Sequence, residues 1–261
     1  MAAKPFLKWA GGKRQLLSQM EPYYPRGLEN GSIKKYFEPF VGGGAVFFYI
    51  QDRYRPKEFY LFDVNDELIL AYQTIQKNVI SVVENLFATQ EKYHSLKEDE
   101  RKEYFYEIRE DFNVAKKAID YVNYSIEWVK RTSQIIFLNR TCFNGLFRVN
   151  SKGKFNVPFG KHKNPQICNR ENLLEVSECL QNVTIICGDF ETFKEEIDSE
   201  SFVYFDPPYR PLSKTASFTS YSGSKFRDEE QTRLSEYFKE LNSKGAKLML
   251  SNSDPKNIDP D

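Results

Sequence analysis

The sequence predicts an α/β protein whose core is a parallel β-sheet. Short apolar runs typical of buried strands alternate with helical segments at both ends of the chain, whereas the middle lacks this alternation. Parallel strands need crossover connections, so the alternating parts fit one sheet and the middle fits an insertion. We expect a discontinuous sheet domain at residues 1–76 and 177–261 and an inserted helical and basic lobe at residues 77–176.

The amino-terminal part of the predicted sheet begins with an apolar strand at residues 35–41. A glycine turn at residues 42–44 ends this strand, and an apolar helix follows. Strand, glycine turn and helix are the opening of a βαβ unit. A second strand at residues 59–62 is followed by Asp63 and then by a helical run at residues 66–76.

The inserted lobe has a charged helical pattern, and residues 121–138 predict a largely apolar helix within it. The strand pattern returns beyond the lobe. The remaining predicted elements are a strand at 183–187, a helix through 197, a strand at 202–205, a helix at 228–241 and a strand at 246–250.

Composition narrows the class of protein. Of the 261 residues, 40% are hydrophobic and 15% aromatic, so burial in a core can offset the chain entropy lost on folding. The sequence has neither a membrane-length apolar stretch nor a signal-peptide pattern, and we expect a cytoplasmic protein. The four cysteines lack CxxC spacing and there are only two histidines, so we expect no metal site.

Charge is balanced overall but not locally. The chain has 37 basic and 37 acidic residues, yet residues 130–170 contain nine Lys or Arg side chains and no Asp or Glu. A basic stretch within a neutral protein indicates a localised surface for a polyanion such as nucleic acid. The alternative is a solvated basic loop without a ligand.

Asp206-Pro207-Pro208-Tyr209 follows the apolar run at residues 201–205. It joins an acceptor-only carboxylate, a chain fixed by two prolines and an aromatic face at the end of a buried strand. Asp206 and the Pro207 carbonyl can accept hydrogen bonds from an amino group while Tyr209 stacks on the attached ring. The alternative is a Pro-Pro turn that ends a strand beside a solvated carboxylate.

The glycine turn and Asp63 suggest a nucleoside site. Asp63 follows the glycines by about 20 residues, as the ribose-binding acid does in dinucleotide folds. The glycines lack GxGxxG spacing and no Walker lysine follows, so a nucleoside without a pyrophosphate, such as S-adenosylmethionine, fits better. A tight turn without a ligand is the alternative.

Loops that follow the carboxyl ends of parallel strands line the crevice where ligands bind in open α/β sheets. We therefore expect the nucleoside site and the amino-group site to converge. The predicted loops are Gly42 to Gly44, Asp63, Asp189 with Phe190, Asp206 to Tyr209, and Ser251 to Asp254.

Four segments, taken together, resemble the Dam-type alpha group of DNA adenine-N6 methyltransferases. They are residues 6–13, 37–44, 138–160 and 206–212, and their order is cofactor loop, recognition lobe and catalytic tetrapeptide. The resemblance implies a Rossmann-like S-adenosylmethionine-dependent methyltransferase fold. It also implies a monomer that acts on double-stranded DNA in the bacterial or phage-type nucleoid, and a helix and hairpin beyond Asp261.

The cofactor that the resemblance implies is S-adenosylmethionine. Asp63 would bind its ribose and Asp189 with Phe190 its adenine, while Phe40 and the glycines would lie against its methionine part. The full set of implied cofactor residues is Trp9, Ala10, Gly11, Lys13, Phe40, Gly42, Gly44, Asp63, Asp189, Phe190 and Asp206.

The resemblance also implies a hairpin at residues 144–148 that enters the DNA. Arg148 would pair with guanine O6 and N7, Leu146 would contact a thymine methyl group, Arg140 a phosphate and Lys8 a second guanine. GATC is the favoured target, and the alternative is a longer sequence that contains GAT, which related enzymes with a similar Cys-Phe-Asn-Gly segment read. The implied DNA-binding residues are Lys8, Arg140, Asn144, Leu146, Phe147 and Arg148.

Methylation of adenine inside a duplex requires base flipping. Phe143 or Phe147 would wedge into the gap in the DNA. Asp206, Pro207 and Tyr209 are the implied catalytic residues, and the reaction needs no metal and no covalent enzyme intermediate. Two alternatives remain, namely a methyltransferase of the same fold that acts on RNA or another amino group, and an inactive DNA-binding relative.

Overall fold

A computed structural model of the protein describes residues 3–209, 226 and 228–252. The chain forms two compact units. The sheet unit comprises Lys13–Val41, Tyr49–Val64 and Asn182–Asp261, and the helical unit comprises Met1–Gly12, Gly42–Phe48 and Asn65–Gln181. These units are defined by compactness, whereas the predicted division at residues 76 and 177 assigns functions, and that assignment stays a prediction.

The sheet unit contains a five-stranded parallel sheet, which confirms the predicted α/β class. The strand order is β3-β2-β1-β4-β5, and every neighbouring pair is parallel. The order reverses between β1 and β4, which is where ligands bind in open sheets of this kind. The strands are β1 (Lys35–Pro39), β2 (Glu58–Asp63), β3 (Val183–Cys187), β4 (Ser201–Phe205) and β5 (Lys247–Leu250).

The strand register brings the predicted loops of this unit to one edge of the sheet. Pro39 pairs with Phe62, Asp63 with Cys187, and Phe205 with Leu250. The carboxyl ends of all five strands therefore lie together. The residues that end these strands or directly follow them are Phe40, Asp63, Gly188, Asp206 and Ser251.

An aromatic core holds helix α7 (Asp228–Ser243) against the sheet. Phe37 stacks on Tyr60 with ring centroids 4.4 Å apart, and Phe193 packs against Tyr60 and Phe62. Burial of rings of this size is the main driving force for folding in such a unit. The buried members of the cluster are Phe37, Phe62, Phe190, Phe193, Ile197, Val203, Phe205, Leu234, Tyr237, Leu241 and Ala246.

Four helices lie in the part of the helical unit between β2 and β3. Helix α3 contacts α5 and α6, and α5 also contacts α4. Asn65 caps α3 by accepting a hydrogen bond from the Leu68 amide, and the helix kinks at Asn78. The helices are α3 (Asp66–Ser95), α4 (Glu98–Ala115), α5 (Glu127–Thr141) and α6 (Arg170–Cys179), and two earlier ones are α1 (Leu17–Met20) and α2 (Ala45–Arg53).

Two predicted helices differ in the structure. The helix predicted at residues 121–138 begins at Glu127, because the Asp120 carboxylate accepts hydrogen bonds from the amides of Val122 and Asn123 and forms a turn. The helix predicted through Ile197 is a series of turns. There the Thr192 hydroxyl donates to the Asp189 carbonyl, which competes with helical pairing.

No helix in the described parts of the chain is long and apolar enough to cross a membrane.

Candidate active site

Asp206 follows β4 directly, and both of its carboxylate oxygens have partners within the sheet unit. Oδ2 accepts a hydrogen bond from the Lys13 ammonium at 2.5 Å, and Oδ1 accepts one from the Tyr209 hydroxyl at 3.1 Å. The Lys13 Nζ also lies over the Tyr209 ring, 5.1 Å from its centroid. Pro207, which lies between Asp206 and Tyr209 in the sequence, is buried, whereas Tyr209 is 37% exposed. The tetrapeptide thus presents a carboxylate beside an accessible aromatic face.

Burial dominates the electrostatics of this pair. It raises the pKa of Asp206 above its ordinary value of 3.8, more than the Lys13 charge lowers it. Burial alone would lower the pKa of Lys13, but the charge and hydrogen bond of Asp206 raise it overall. A carboxylate with few water contacts is a strong acceptor for any amino group that reaches it.

The neighbouring strands of the sheet unit provide groups suited to a nucleoside. Asp63 ends β2 and is half-buried, and Phe40 follows β1 with a positive φ of 64°. The Phe40 and Phe190 rings lie 5.7 Å apart. The adenosine part of S-adenosylmethionine offers ribose hydroxyls to a carboxylate acceptor and a purine that packs against aromatic rings. These residues provide such groups and so fit that cofactor.

The predicted partner of the cofactor adenine, Asp189, is held by other protein groups. Arg233 of α7 forms an ion pair with its Oδ2, and the Glu191 amide donates to its Oδ1 at 3.1 Å. The Arg233 guanidinium also lies 4.3 Å from the centroid of the Phe190 ring. Arg233 therefore fixes the loop after β3, a role that the sequence pattern did not indicate.

The glycines after β1 are explained by close packing inside the helical unit. A Cβ on Gly42 would lie 2.8 Å from Cδ1 of Trp9, and one on Gly44 would lie 2.6 Å from the Tyr72 hydroxyl. Both glycines have positive φ, which side-chain-bearing residues rarely adopt. Tyr72 in turn donates to the Gly42 carbonyl at 3.1 Å. Packing alone requires glycine here, and contact with a cofactor stays a prediction.

The two aromatic residues proposed as DNA wedges lie in different environments. Phe147 is 4% exposed and stacks on Trp9, with centroids 5.4 Å apart and planes inclined by 19°. Phe143, at the start of a 3-10 turn (Phe143–Gly145), is 53% exposed. Of the two rings, Phe143 is the one placed to contact a partner, while Phe147 holds the Trp9 segment.

Asn139 connects two of the predicted DNA-binding segments. It is fully buried, its Oδ1 accepts from the Lys8 amide at 2.8 Å, and its Nδ2 donates to the Lys8 and Gly145 carbonyls. Sequence reasoning did not identify it. The available signal was an asparagine directly after the apolar run at residues 135–138 of α5, because buried amides are almost always paired.

Arg148 lies in an antiparallel hairpin of this lobe. Cys142 pairs with Phe159 and Val149 with Phe155, so the pairing begins before the predicted segment 144–148 and continues beyond it. That segment therefore lies within the first arm of the hairpin, and its entry into DNA stays a prediction. Asn144 lies in a 3-10 turn of this arm with a φ of 57°, which asparagine tolerates. The Arg148 Nε donates to the Asn156 Oδ1 at 2.9 Å, and no other side-chain hydrogen bond of Arg148 is found within the described part of the chain.

A basic cavity of about 290 Å³ lies in the helical unit. The Arg140 Nη2 donates to the Phe6 carbonyl at 2.8 Å, whereas its buried Nε has no partner among the described residues. Burial lowers the pKa of Arg140. The cavity is lined by Lys8, Arg140, His162, Lys163, Asn164, Pro165 and Gln166.

Not all of the basic stretch contributes to this surface. Arg131 is buried in an ion pair with Glu67, and Lys130 pairs with Asp111 at 2.8 Å. The positive field predicted for residues 130–170 therefore comes from the residues after Arg131.

The other predicted site residues are distributed as follows. Ala10, Gly11 and Asn144 are exposed, and Leu146 is half-buried. The predicted motif residues Arg210, Pro211 and Leu212 and the predicted loop residues Ser253 and Asp254 lie outside the described residues. Among the described residues, no three His, Cys, Asp or Glu side chains are grouped so that they could hold a metal ion.

The strand order and the position of Asp206-Pro207-Pro208-Tyr209 after β4 define the class of α/β methyltransferases. The model of the family described as D12 class N6 adenine-specific DNA methyltransferases matches residues 9–260. The chain belongs to this family and is an adenine-specific DNA methyltransferase, which confirms the resemblance and the predicted enzyme class.

The relatives have names that agree with this family. The chain is 53% identical to the type II methyltransferase M.MjaIII of Methanocaldococcus jannaschii over 253 residues, 97% of this chain and 85% of the relative. It is 41% identical to the type II methyltransferase M1.LlaDCHI of Lactococcus lactis subsp. cremoris, over 96% of this chain and 81% of the relative. It is also 36% identical to a DNA adenine methylase of Vibrio cholerae, over 96% and 82%.

Proposed function

We propose that the protein transfers a methyl group from S-adenosylmethionine to adenine N6 within a short palindromic site in duplex DNA, with GATC as the target. The observation that carries this proposal is the Asp206 carboxylate, largely buried after β4 beside the accessible ring of Tyr209. A flipped adenine would place its amino group on the carboxylate and its ring on the tyrosine.

Asp206 and the Pro207 carbonyl act by orienting the amino group. Adenine N6 is a poor nucleophile because its lone pair is delocalised into the ring. Two acceptors draw the amino hydrogens out of that geometry and free the lone pair for attack. Positive charge then develops on N6, and the poorly solvated Asp206 carboxylate stabilises it.

S-adenosylmethionine would supply the methyl group from its sulfonium sulfur. The new bond from N6 to carbon forms as the bond from sulfur to carbon breaks, and the extra N6 proton leaves afterwards to Asp206 or to water. Asp63 and the Phe40 and Phe190 rings would hold the adenosine part of the cofactor and so align its methyl group with N6. Such alignment accounts for a large part of the rate enhancement in two-substrate reactions.

Base recognition belongs to the lobe at residues 77–176, and catalysis to residues 1–76 and 177–261. Arg148 would pair with guanine O6 and N7 through its terminal guanidinium nitrogens, for which no bonded side chain occurs among the described residues, while Asn156 holds its Nε. Lys8 is exposed and its backbone is fixed by Asn139, which suits contact with a second guanine. Leu146 contacts a thymine methyl group.

The basic cavity and Phe143 support binding to the DNA backbone and distortion of the duplex. Arg140 lines this cavity and its Nε has no hydrogen-bond partner within the described part of the chain, so its guanidinium is suited to contact a phosphate oxygen. Phe143 is exposed in the first arm of the hairpin and would fill the gap left by the flipped base.

The direct test is transfer of tritiated methyl groups to defined duplexes that contain GATC, hemimethylated GATC or single-base variants, and to the matching single strands. We expect label on adenine N6 of GATC duplexes, little on the variants and a rate lower by about 10²–10³-fold after Asp206→Asn. Equal labelling of GATC and its variants would contradict the proposed target, and preference for single strands would favour a different nucleic acid.

A matched pair of variants tests the DNA wedge. Phe143→Ala should reduce the fluorescence increase of a 2-aminopurine placed at the target adenine, because the gap is no longer filled, while the thermal midpoint of unfolding stays unchanged. Phe147→Ala should lower that midpoint, because it removes a buried ring that stacks on Trp9. The reverse pattern would assign the wedge to Phe147.

A further inference from the structure

Lys13 lies where the target amino group has to bind. Its ammonium contacts the Asp206 Oδ2 at 2.5 Å and also lies over the Tyr209 ring, 5.1 Å from the centroid. These are the two surfaces that would receive the amino group and the ring of the adenine. The sequence analysis placed Lys13 at the cofactor site, which stays a prediction, and the structure adds these two contacts with the proposed catalytic residues.

We propose that Lys13 is a positioning residue that takes the place of the adenine amino group in the empty site and is exchanged for it when the flipped base enters. While the site is empty, Lys13 keeps the Asp206 carboxylate ionised and correctly oriented. This inference rests on the proposed function, in which Asp206 receives N6.

The ammonium has the properties that this role requires. Like the adenine amino group, it donates hydrogen bonds from a single nitrogen, and it sits on a flexible four-carbon stem that can withdraw. The Lys13 side chain is 8% exposed and that of Asp206 is 20% exposed. An isolated carboxylate at this depth would take up a proton and lose its acceptor character, so a counter-ion is needed until the substrate arrives.

The same charge opposes the reaction if it stays in place. Positive charge develops on N6 during methyl transfer, and an ammonium at hydrogen-bonding distance from the same carboxylate would repel it. Tyr209 already donates to the other oxygen, so N6 must take the position of Lys13 on Oδ2. Exchange of one donor for the other removes the repulsion and keeps the carboxylate paired.

The groups that face Asp206 make its ionisation depend on Lys13. Among the described residues they are Lys13, the Tyr209 hydroxyl and the Tyr204 side chain, and burial, together with the nearby charge of Asp206, raises the pKa of Tyr204. The Tyr204 hydroxyl is bonded to Ser251 at 2.8 Å. Both tyrosines are neutral near pH 7, so Lys13 is the cation of this group.

The first experiment is a carbon NMR titration of the Asp206 carboxyl group in the ligand-free protein, with the signal assigned by its absence in Asp206→Asn. Lys13→Met removes the charge and retains the length. We expect its Asp206 titration midpoint to lie roughly one to three pH units above that of the wild type, the usual effect of losing an adjacent opposite charge. Lys13→Arg should leave the midpoint near its wild-type value. Equal midpoints in Lys13→Met and wild type would overturn the proposal.

The second experiment measures single-turnover methylation of a saturating duplex between pH 5 and pH 9. For Lys13→Met we expect the acidic limb of the profile to move to higher pH by the same amount, with a plateau at high pH that is not below that of the wild type. A lower plateau with an unmoved acidic limb would show that Lys13 acts through the cofactor or the fold.

Lys35→Met is the matched control, because Lys35 pairs with Asp198 at 2.7 Å at the opposite edge of the same sheet. Its profile should coincide with that of the wild type.

If Lys13→Met is poorly folded, the double variant Lys13→Met/Asp206→Asn should restore the thermal midpoint, because no unpaired buried charge remains. Lack of that rescue would count against the pairing. Absence of adenine methylation by the wild type would refute the proposed function, whereas the NMR titration would still test the role of Lys13.

Discussion

The two compact units each contain a buried ion pair, and the two pairs are built differently. In the helical unit, Arg131 and Glu67 are 1% and 3% exposed, and two guanidinium nitrogens bind the two carboxylate oxygens. In the sheet unit, a single ammonium binds one oxygen of Asp206. The first pair joins helices α3 and α5, and the second lies at the proposed reaction centre.

The two pairs differ in how many of their polar atoms are hydrogen-bonded within the protein. Arg131 also donates to the Phe112 carbonyl and lies over the Phe112 ring, and Tyr121 donates to Glu67 at 2.6 Å. No water or ligand is needed to complete that network. The Asp206 pair has an accessible ring beside it and a carboxyl group with a raised pKa, so its partner can be replaced. A closed network suits a structural role, and an incomplete one suits exchange with a substrate.

The largest expected effect follows from breaking the pair of Arg131 and Glu67. Arg131→Met would leave Glu67 buried without its counter-ion and should lower the free energy of unfolding by about 3–5 kcal/mol. Lys130→Met is the matched control on the same helix, since Lys130 and Asp111 are both well exposed, and it should cost at most about 1 kcal/mol. Urea denaturation measures both, and similar losses in the two variants would mean that the network adds nothing beyond a surface pair.

The next largest effect is on the methylation rate and concerns the pair of Lys13 and Asp206. Asp206→Asn keeps the shape of the side chain but removes the charge that stabilises N6, and should reduce single-turnover methylation by about 10²–10³-fold. Binding of the duplex should persist, because the proposed phosphate contacts lie elsewhere. Gel-shift affinity and methylation rate are measured together. A variant that methylates within about tenfold of the wild type would show that orientation alone suffices.

Arg148 lies between these two cases, because the described partner of its guanidinium is the neutral side-chain amide of Asn156. Arg148→Ala should reduce discrimination between GATC and variants at one guanine by about 1–3 kcal/mol while sparing cofactor binding. Asn156→Ala should also reduce this discrimination, but by less. It removes only the hydrogen bond to Nε that orients the guanidinium. Ratios of kcat/KM across single-base variants check this, and unchanged discrimination in Arg148→Ala would remove it from base recognition.

Local sequence patterns were sufficient for the sheet. All five strands were predicted because each is an apolar run bounded by turn residues, and their parallel direction was expected from the alternation of strands with helical segments. The loop residues after each strand follow from the same rule. The helix predicted through Ile197 was wrong, because the hydrogen bond from Thr192 to the Asp189 carbonyl is a local competitor that apolar spacing does not reveal.

Contacts between residues far apart in sequence could not be predicted. Lys13 and Asp206 are separated by 193 residues, and Arg131 and Glu67 by 64. Counting charges placed Arg131 on the basic surface, whereas its burial removes it from that surface. Phe143 and Phe147 were equivalent in the sequence, and only packing against Trp9 separates them.

The smallest expected effect is the pH dependence of stability, and its sign distinguishes the Asp206 pair from an ordinary one in the same sheet. The pKa of Asp206 is raised above 3.8, so its contribution to stability is full below that pH and is lost as pH rises through the folded-state value. The pKa of Asp198 is lowered, because Lys35 and nearby donors outweigh burial, so its contribution is present above 3.8 and is lost as pH falls. Lys13 stays charged throughout, since its pKa is raised from 10.5.

Urea unfolding of wild type, Asp206→Asn and Asp198→Asn between pH 3 and pH 8 tests this contrast. As pH rises, the stability of the wild type should fall relative to Asp206→Asn and rise relative to Asp198→Asn. Two differences of the same sign would mean that Lys13 stabilises Asp206 as fully as Lys35 stabilises Asp198. The Lys13 pair would then be a structural contact, and the proposed exchange with the adenine amino group would lose its physical basis.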